Sequence, residues 1–257
     1  MVREWRGRRR LSQLDLAHEA GVSPKHLSFV ETGRSRPSPE LLMTLARHLD
    51  VPLRETNSLL LAAGYAPRFR ESDLDDSALD RARAALTRML DHHDPFPGLV
   101  LDRYWNVVLA NRSAGSMTAL VPDELLARGL NVFRISLHPD GLAARTRNLA
   151  EWGAYLVRHL HRMVLTTADP VLAGLEAEIL EYPTVQAIVT DDGYDPGASS
   201  PPMLSCQLDL DGTVVSFLTT LTTFGSPFDI TLDELMVELF YPADEASEAV
   251  LRAAVTG

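Results

Sequence analysis

The segment SQLDLAHEAGVSPKHLSFVETGRSR, residues 12–36, decides how the N-terminal part of this chain folds. Ser12 and Ser23 are each followed by apolar residues at helical spacing, and serine is favourable at a helix N-cap. Gly21 and Gly33 come just after the two repeats, where glycine commonly ends a helix. The pattern therefore predicts two short helices joined by a tight turn.

The helical pattern continues on both sides of this segment. Trp5 and the arginine cluster at residues 6–10 are expected in a preceding helix, while residues 38–40 and Pro52 are start signals for two later helices, the last of which ends at Gly64. The inward-facing positions are expected to include Leu14, Ala17, Ala20, Leu27 and Val30. Four or five short helices within residues 1–65 predict a compact all-α domain.

Charge is distributed unevenly along the chain. Residues 1–70 hold 12 Lys and Arg against 7 Asp and Glu, a net charge of +5, whereas residues 71–257 hold 12 against 28, a net charge of -16. A basic module joined to an acidic body favours nucleic-acid binding by the basic part. The single cysteine, Cys206, excludes an internal disulfide framework and is expected to be a small buried residue.

No stretch reaches the roughly 18 apolar residues of a membrane span, and no apolar stretch follows the basic N-terminus. We therefore expect a cytoplasmic protein that does not associate with a membrane.

The N-terminal pattern resembles the lambda-repressor-like helix-turn-helix of the xenobiotic-response-element family. The matching residues are Ser12 and Gln13, Leu16 and Ala17, Gly21 to Ser23, Leu27 and Ser28, Glu31, Gly33 and Arg34, and Pro37 and Ser38. The resemblance covers about residues 1–65 and is specific, because glycines, caps and core positions agree together.

This resemblance implies that the helix beginning at Ser23 enters the major groove of double-stranded DNA. Lysine can donate to guanine, phenylalanine can contact a thymine methyl group, and arginine neutralises phosphates. Because Pro24 cannot make a bidentate contact with adenine, sequence reading would depend more on Lys25, His26 and Phe29, or on DNA shape. The predicted DNA-binding residues are Gln13, Ser23, Pro24, Lys25, His26, Ser28, Phe29, Arg34 and Arg36.

Composition changes from apolar to charged at residues 66–76, which predicts a helix-turn-helix domain at 1–70, a linker helix within 71–94 and a larger domain at 95–257. The expected strands are 98–102, 105–110, 203–208, 213–224 and 234–241, and the expected helices follow Asn111 and cover 149–163, 171–180 and 243–254. Strands at both ends of a helical middle predict an α+β domain, an antiparallel sheet with helices on one face.

The larger domain resembles the MmyB-like ligand-binding domain, which has a PAS-like fold and follows a helix-turn-helix of this type. The resemblance is carried by LDRYWNVVLAN (101–111), FRISLHPDGL (133–142), NLAEW (148–152) and LTTLTTFGSPFDITLDELMVELFYPADE (218–245). Ile135 and Ser136 depart from a segment that is more uniformly leucine or phenylalanine in such proteins, which bears on the shape of the pocket.

The second resemblance implies a cavity between sheet and helices for a small apolar molecule such as a fatty-acyl chain. Apolar strand faces and the helix after Asn148 could enclose such a molecule, with a few polar groups orienting a headgroup. The same stripes would equally form an ordinary core. The predicted ligand-binding residues are Trp105, Asn111, Arg134, His138, Asn148, Trp152, Tyr155, Phe217, Leu221 and Thr223.

Catalytic motifs are missing from the sequence. Lys25 is the only lysine, so the C-terminal part has no lysine for a Ser-Lys self-cleaving pair or a Schiff base. The histidine pairs 92–93 and 159–161 have spacings that do not converge on a helix, so no metal or other cofactor is expected.

The leading hypothesis is a homodimeric, ligand-responsive transcription regulator, not an enzyme. Two alternatives stay open: an antitoxin-like or scaffold protein whose C-terminal domain binds a protein partner, and an enzyme acting on a small apolar substrate, for which no nucleophile is recognisable.

Overall fold

The structure is a computed structural model that describes residues 1–198, 203–225 and 227–254. These residues form two compact units. The first unit comprises Met1–Leu79 and Phe224–Glu234, and the second comprises Asp80–Thr223 and the described residues from Leu235 onward.

The helices and strands were numbered separately in chain order. The α-helices of the described residues are α1 (Val2–Arg8), α2 (Gln13–Glu19), α3 (Pro24–Glu31), α4 (Pro39–His48), α5 (Leu53–Ala62), α6 (Asp80–His93), α7 (Arg112–Ser116), α8 (Asp123–Leu126), α9 (Val132–Leu137), α10 (Leu149–Thr167), α11 (Pro170–Leu180), α12 (Pro183–Val189), α13 (Ile230–Glu234) and α14 (Glu245–Ala253). The strands are β1 (Gly98–Leu101), β2 (Val107–Ala110), β3 (Cys206–Leu210), β4 (Thr213–Thr223) and β5 (Met236–Pro242). None of the described helices has the length and apolarity that crossing a membrane requires.

Helices α1 to α5 form the all-α bundle that the sequence predicts. Ser12, Ser23 and Ser38 each accept a hydrogen bond at a helix start, and Ser12 completes the expected capping box with Asp15. The buried core is mainly leucine: Leu16, Leu27, Leu42, Leu45, Leu49, Leu59 and Leu60. Capping and burial thus agree on the same helix boundaries.

The prediction that Leu14 faces the core is wrong. Its side chain is 65% exposed, whereas Leu16 and Ala17 are fully buried. Successive helical residues are about 100° apart, so Leu14 lies nearly opposite Leu16 around the axis of α2. The inward stripe therefore runs through Leu16, Ala17 and the half-buried Ala20.

The chain between β4 and β5 belongs to the first unit, and sequence reasoning missed this. The predicted strand at 234–241 begins only at Met236, and residues 230–234 form helix α13. Ser72 donates a 2.7 Å hydrogen bond to Asp229, and the backbone N–H of Leu53 donates to Asp233 at 3.1 Å. The segment that connects β4 to β5 therefore belongs to the helical unit, although the strands on either side of it belong to the second unit.

The second unit contains a five-stranded antiparallel sheet with the order β2-β1-β5-β4-β3. Strand β5 lies at the centre, where Glu238 pairs with Leu99 of β1 and with Leu221 of β4. The α+β prediction is confirmed, although the short helices α8, α9 and α12 were not predicted. Each has four to seven residues, too few for a clear helical repeat.

Trp105 was predicted on a strand face, and this prediction is wrong. It lies in the turn between β1 and β2 with φ of +66°, a conformation that is unusual for a bulky residue. Asp102 stabilises the turn because its Oδ1 accepts hydrogen bonds from the backbone N–H groups of Tyr104 and Asn106. The Trp105 ring is buried 4.7 Å from the ring of Phe133.

Candidate functional sites

Helices α2 and α3 form a helix-turn-helix. Gly21, with φ of +65°, provides the left-handed residue of the turn, and the backbone N–H of Val22 donates to Ala17 at 2.9 Å. Ser23 Oγ then accepts a 3.1 Å hydrogen bond from the backbone N–H of His26. The sequence therefore fixes both the end of α2 and the start of α3.

The surface of α3 presents the predicted base-reading residues. Pro24 and Lys25 are exposed, while His26, Ser28 and Phe29 are partly exposed. The ammonium of Lys25 lies 5.8 Å from the centre of the Phe29 ring, one helical turn away. A cation and an aromatic edge thus form one continuous patch that can contact base edges.

Two arginines follow α3 but differ in their contacts. Arg34 is exposed, and its backbone N–H donates to Phe29 at 2.8 Å, which closes the helix. Arg36 lies 4.3 Å over the ring of Tyr65 and donates to the carbonyl oxygen of Gly64 at 3.0 Å. Arg36 therefore holds the end of α5. Arg34 is exposed, so its guanidinium can contact a DNA phosphate without leaving an intramolecular partner among the described residues.

Glu31, which matched the sequence pattern without being assigned a role, is a positioning residue. Arg6 donates to its two carboxylate oxygens at 2.7 and 3.0 Å, and the Gln13 amide donates to it at 2.9 Å. Burial opposes ionisation, but the hydrogen bonds from Arg6 and Gln13 outweigh it and lower the pKa of Glu31. The network joins α1, α2 and α3, and it uses an amide donor of Gln13, a residue that was predicted to bind DNA.

The second unit contains an apolar cavity of about 180 Å³. One wall is the sheet, with Leu99, Phe217, Glu238 and Phe240, and the opposite wall comes from the segments around α7 to α10. Wall residues from those segments include Met117, Val121, Leu126, Ile135, Ser136 and Trp152. The cavity therefore lies between sheet and helices, where the second resemblance placed a ligand.

Of the ten residues predicted to bind ligand, Trp152 and Phe217 line this cavity. Asn111 instead caps α7 and also accepts from the backbone N–H of Gly98 at 3.0 Å. Asn148 is bonded to the backbone of Ser205 and Gln207. Both asparagines satisfy backbone groups of the fold, so they are not available as headgroup contacts.

The charged candidates and Tyr155 also lie outside the cavity lining. Arg134 makes a bidentate pair with Glu178, both hydrogen bonds being 2.8 Å. Tyr155 lies beside Trp152 with 5.3 Å between ring centres, and His138 lies 4.9 Å from the ring of Tyr182. The Arg134–Glu178 pair joins α9 to α11, and none of Arg134, Tyr155 and His138 lines the cavity.

Leu221 and Thr223 were predicted to face ligand, but they are exposed and do not line the cavity. Alternation of burial in β4 holds from Val215 to Leu218 and ends at Thr219. The last four residues of the strand are all exposed, so its predicted inward face does not reach its end. Trp105, described above, is likewise a core residue and not part of the lining.

Two features of the cavity were missed or undervalued. Ile135 and Ser136, which the sequence analysis singled out as bearing on the shape of the pocket, both line it. Glu238 lines it as well; it is 4% exposed, and among the described residues its Oε2 has no hydrogen-bond partner. Burial raises the pKa of Glu238 to about 7. The only sequence signal was one carboxyl group inside the apolar strand MVELFYP.

Cys206 also lines the cavity and is half-buried. Burial, with a contribution from the charge of Glu238, raises the pKa of its thiol to about 12, so it stays protonated and behaves as an apolar group. Within the described parts of the chain, no three His, Cys, Asp or Glu side chains are grouped closely enough to hold a metal ion.

A helix-turn-helix in the same chain as an α+β domain with an apolar cavity defines a transcription regulator with a ligand-binding domain. Residues 2–55 match the helix-turn-helix family, and residues 82–254 match the family described as MmyB-like transcription regulator ligand binding domain. The second match covers more than half of the chain, which therefore belongs to the MmyB-like family. A comparison with curated proteins finds no match.

Proposed function

We propose that this DNA-binding regulator is a cytoplasmic homodimer whose affinity for its operator changes when a small apolar molecule, such as a short acyl chain, occupies the cavity. The DNA-reading residues are those of α3 and Arg34. The ligand lies among Leu99, Trp152 and Phe217. Its occupancy acts through the chain that joins β4 to β5.

The connection between β4 and β5 is the observation that carries this proposal. Phe217 on β4 and Phe240 on β5 both line the cavity. The residues that link the two strands, Phe224–Glu234, belong to the unit that contains the helix-turn-helix. Any displacement of β4 relative to β5 must therefore be taken up by a segment that is bonded to helix α5.

The bonds of this segment to the helical unit are specific. Asp233 accepts from the backbone N–H of Leu53 at the start of α5, and the N–H of Ile230 donates to the carbonyl oxygen of Arg70 at 2.8 Å. A ligand shifts a conformational equilibrium only by its different affinity for the two states. Typical coupling free energies correspond to a 5- to 150-fold change in the affinity of the second site.

The homodimer follows from the small size of the reading surface. One recognition helix contacts few base pairs, and proteins of this architecture reach specific affinity by placing two helices one turn of DNA apart. We therefore propose a pseudo-palindromic operator with half-sites about 10 base pairs apart.

The test compares two preparations of the full chain on an operator selected from a random DNA library. One preparation is purified from its own host with any bound molecule, and the other is unfolded, extracted with organic solvent and refolded. We expect operator dissociation constants that differ at least fivefold, measured by fluorescence anisotropy. Equal dissociation constants, with a bound molecule identified in the first preparation, would refute ligand control.

A matched pair of variants assigns the effect to the cavity. Ala114 lines the cavity and is buried, whereas Ala119, in the same segment, is exposed. Ala114→Leu should abolish the difference between the two preparations, and Ala119→Leu should preserve it. Native mass spectrometry of host-purified protein distinguishes ligand control from the alternative function. A stoichiometric protein partner in place of a small molecule would support an antitoxin-like or scaffold protein.

A further inference from the structure

Glu238 is an ionisable residue in the middle of the central strand. Its neighbours across the sheet are Leu99 on β1 and Leu221 on β4, and both are apolar. The residue is 4% exposed and forms part of the cavity wall. An acidic side chain at this position contributes nothing to an apolar core, so its presence requires another explanation.

The carboxyl group is incompletely satisfied. In the part of the chain that the structure describes, Oε2 of Glu238 is buried and accepts no hydrogen bond. A buried polar atom without a partner destabilises the folded state, because it has lost its hydrogen bonds to water and gained none in the protein. The facing strand residues, Leu99 and Leu221, have apolar side chains that offer no donor, so a molecule in the cavity can supply the missing partner.

The other residues of the lining define what that partner must carry. None of the described residues around the cavity is Lys, Arg or His, so no cation of the wall neutralises Glu238. A ligand carboxylate would meet a second carboxyl group without a counterion, which is unfavourable. A ligand ammonium would donate charge-assisted hydrogen bonds to Glu238 and also neutralise it.

We propose that Glu238 is the headgroup-recognition residue of the cavity, and that the ligand is a small apolar molecule with one cationic amine. This inference rests on the proposed role of the cavity as the ligand site, and it replaces the acyl chain given there as an example with an apolar amine. Glu238 binds the amine, and the apolar walls hold the hydrocarbon part.

The size of the cavity limits the ligand. An engineered protein cavity of about 150 Å³ holds benzene, with six heavy atoms, so about 180 Å³ suits a molecule of about seven. Toluene, benzylamine and benzoate are matched probes of this size. They share one ring and differ in the neutral, cationic or anionic group that it bears.

The titratable groups around Glu238 allow a pH test in which Glu238 is the group that changes its charge. The titratable side chains that couple to it are Tyr155 on α10 and Cys206 on β3. Burial raises the pKa of both, so they stay neutral from pH 5.5 to 8.5. Glu238, whose pKa burial raises to about 7, changes from mostly protonated to mostly ionised over this range.

The experiment measures the dissociation constants of the three probes for the full chain by isothermal titration calorimetry. At pH 8.5 we expect benzylamine to bind at least tenfold more tightly than toluene, and benzoate more weakly than toluene. Glu238→Gln should reduce the benzylamine preference at least fivefold and leave toluene unchanged. The control Glu151→Gln, at an exposed position on α10, should leave all three probes unchanged.

A second measurement needs no variant and remains decisive if Glu238→Gln does not fold. In the wild-type chain, the preference for benzylamine over toluene should fall at least threefold from pH 8.5 to 5.5. If toluene binds but benzylamine is not preferred at pH 8.5, the recognition role of Glu238 is overturned and the proposed ligand site stands. Failure of all three probes to bind would overturn this inference together with the proposed ligand site.

Discussion

Arg54 and Glu234 are 180 positions apart in the sequence, and Nε of Arg54 lies 2.7 Å from Oε1 of Glu234. The guanidinium also donates to Glu71. The hydrogen bonds that Arg54 donates to Glu234 and Glu71 raise the pKa of Arg54, which stays charged. The last residue of α13 is thus bonded to α5, in the unit that carries the helix-turn-helix.

Glu234→Gln should weaken the coupling between cavity and operator. Because Arg54 and Glu234 are partly exposed, the free energy of unfolding should fall by only about 1 kcal/mol. The difference in operator affinity between ligand-bound and extracted protein should shrink at least twofold. Anisotropy titrations measure it, with Glu71→Gln as the control that keeps the bond between α13 and α5. An unchanged difference would show that the signal does not use this bond.

Lys25 and Arg34 should contribute to DNA binding in different ways. Lys25→Ala should cost about 1 to 3 kcal/mol on the selected operator and much less on random DNA, because base contacts carry sequence discrimination. Arg34→Ala should weaken both by a similar factor and reduce the salt dependence by about one unit of slope per protomer. Anisotropy at several salt concentrations distinguishes them, and wild-type binding by both variants would argue against this surface.

Glu31→Gln should destabilise the helical unit in a pH-dependent way. The folded state lowers the pKa of Glu31, so its contribution is fully present above its ordinary value of 4.5 and is lost as pH falls through the lowered value. We expect a loss of about 2 kcal/mol at pH 7, measured by urea unfolding, and a smaller difference below pH 4. A pH-independent difference would contradict the assigned ionic role.

Arg134 should act in stability and not in ligand binding. Its hydrogen bonds lower the pKa of Glu178 to about 2, with a smaller contribution from Tyr182. Since both side chains are partly exposed, Arg134→Met should cost about 1 kcal/mol above pH 4.5, and this cost should vanish as the pH falls toward 2. Toluene affinity should stay unchanged in calorimetry. A loss of toluene binding by a folded variant would return Arg134 to the ligand site.

The sequence predicted local features well. Caps at Ser12, Ser23 and Ser38 depend on neighbouring residues alone, and the helices they start are where the pattern placed them. The long helix α10 and the strands of the sheet were also found, because their apolar repeats are long enough to be recognised.

Features that depend on distant parts of the chain were not predicted. Residues 224–234 belong to the helical unit because of pairs such as Arg54 and Glu234. These two residues are 180 positions apart, so no local sequence pattern predicts that they are paired. The predicted ligand residues were chosen as conspicuous aromatic and polar side chains. Most of these satisfy the fold itself, as Asn111 and Asn148 do, whereas the lining is mainly aliphatic and comes from strands, short helices and loops together.

Amide hydrogen exchange with and without saturating toluene tests the central claim most directly, because it needs neither the operator nor the natural ligand. We predict altered exchange at cavity residues and also in α5 and residues 227–234, with both changes absent in Ala114→Leu. Altered exchange confined to the second unit, with toluene bound, would contradict the claim that the cavity controls the DNA-binding unit.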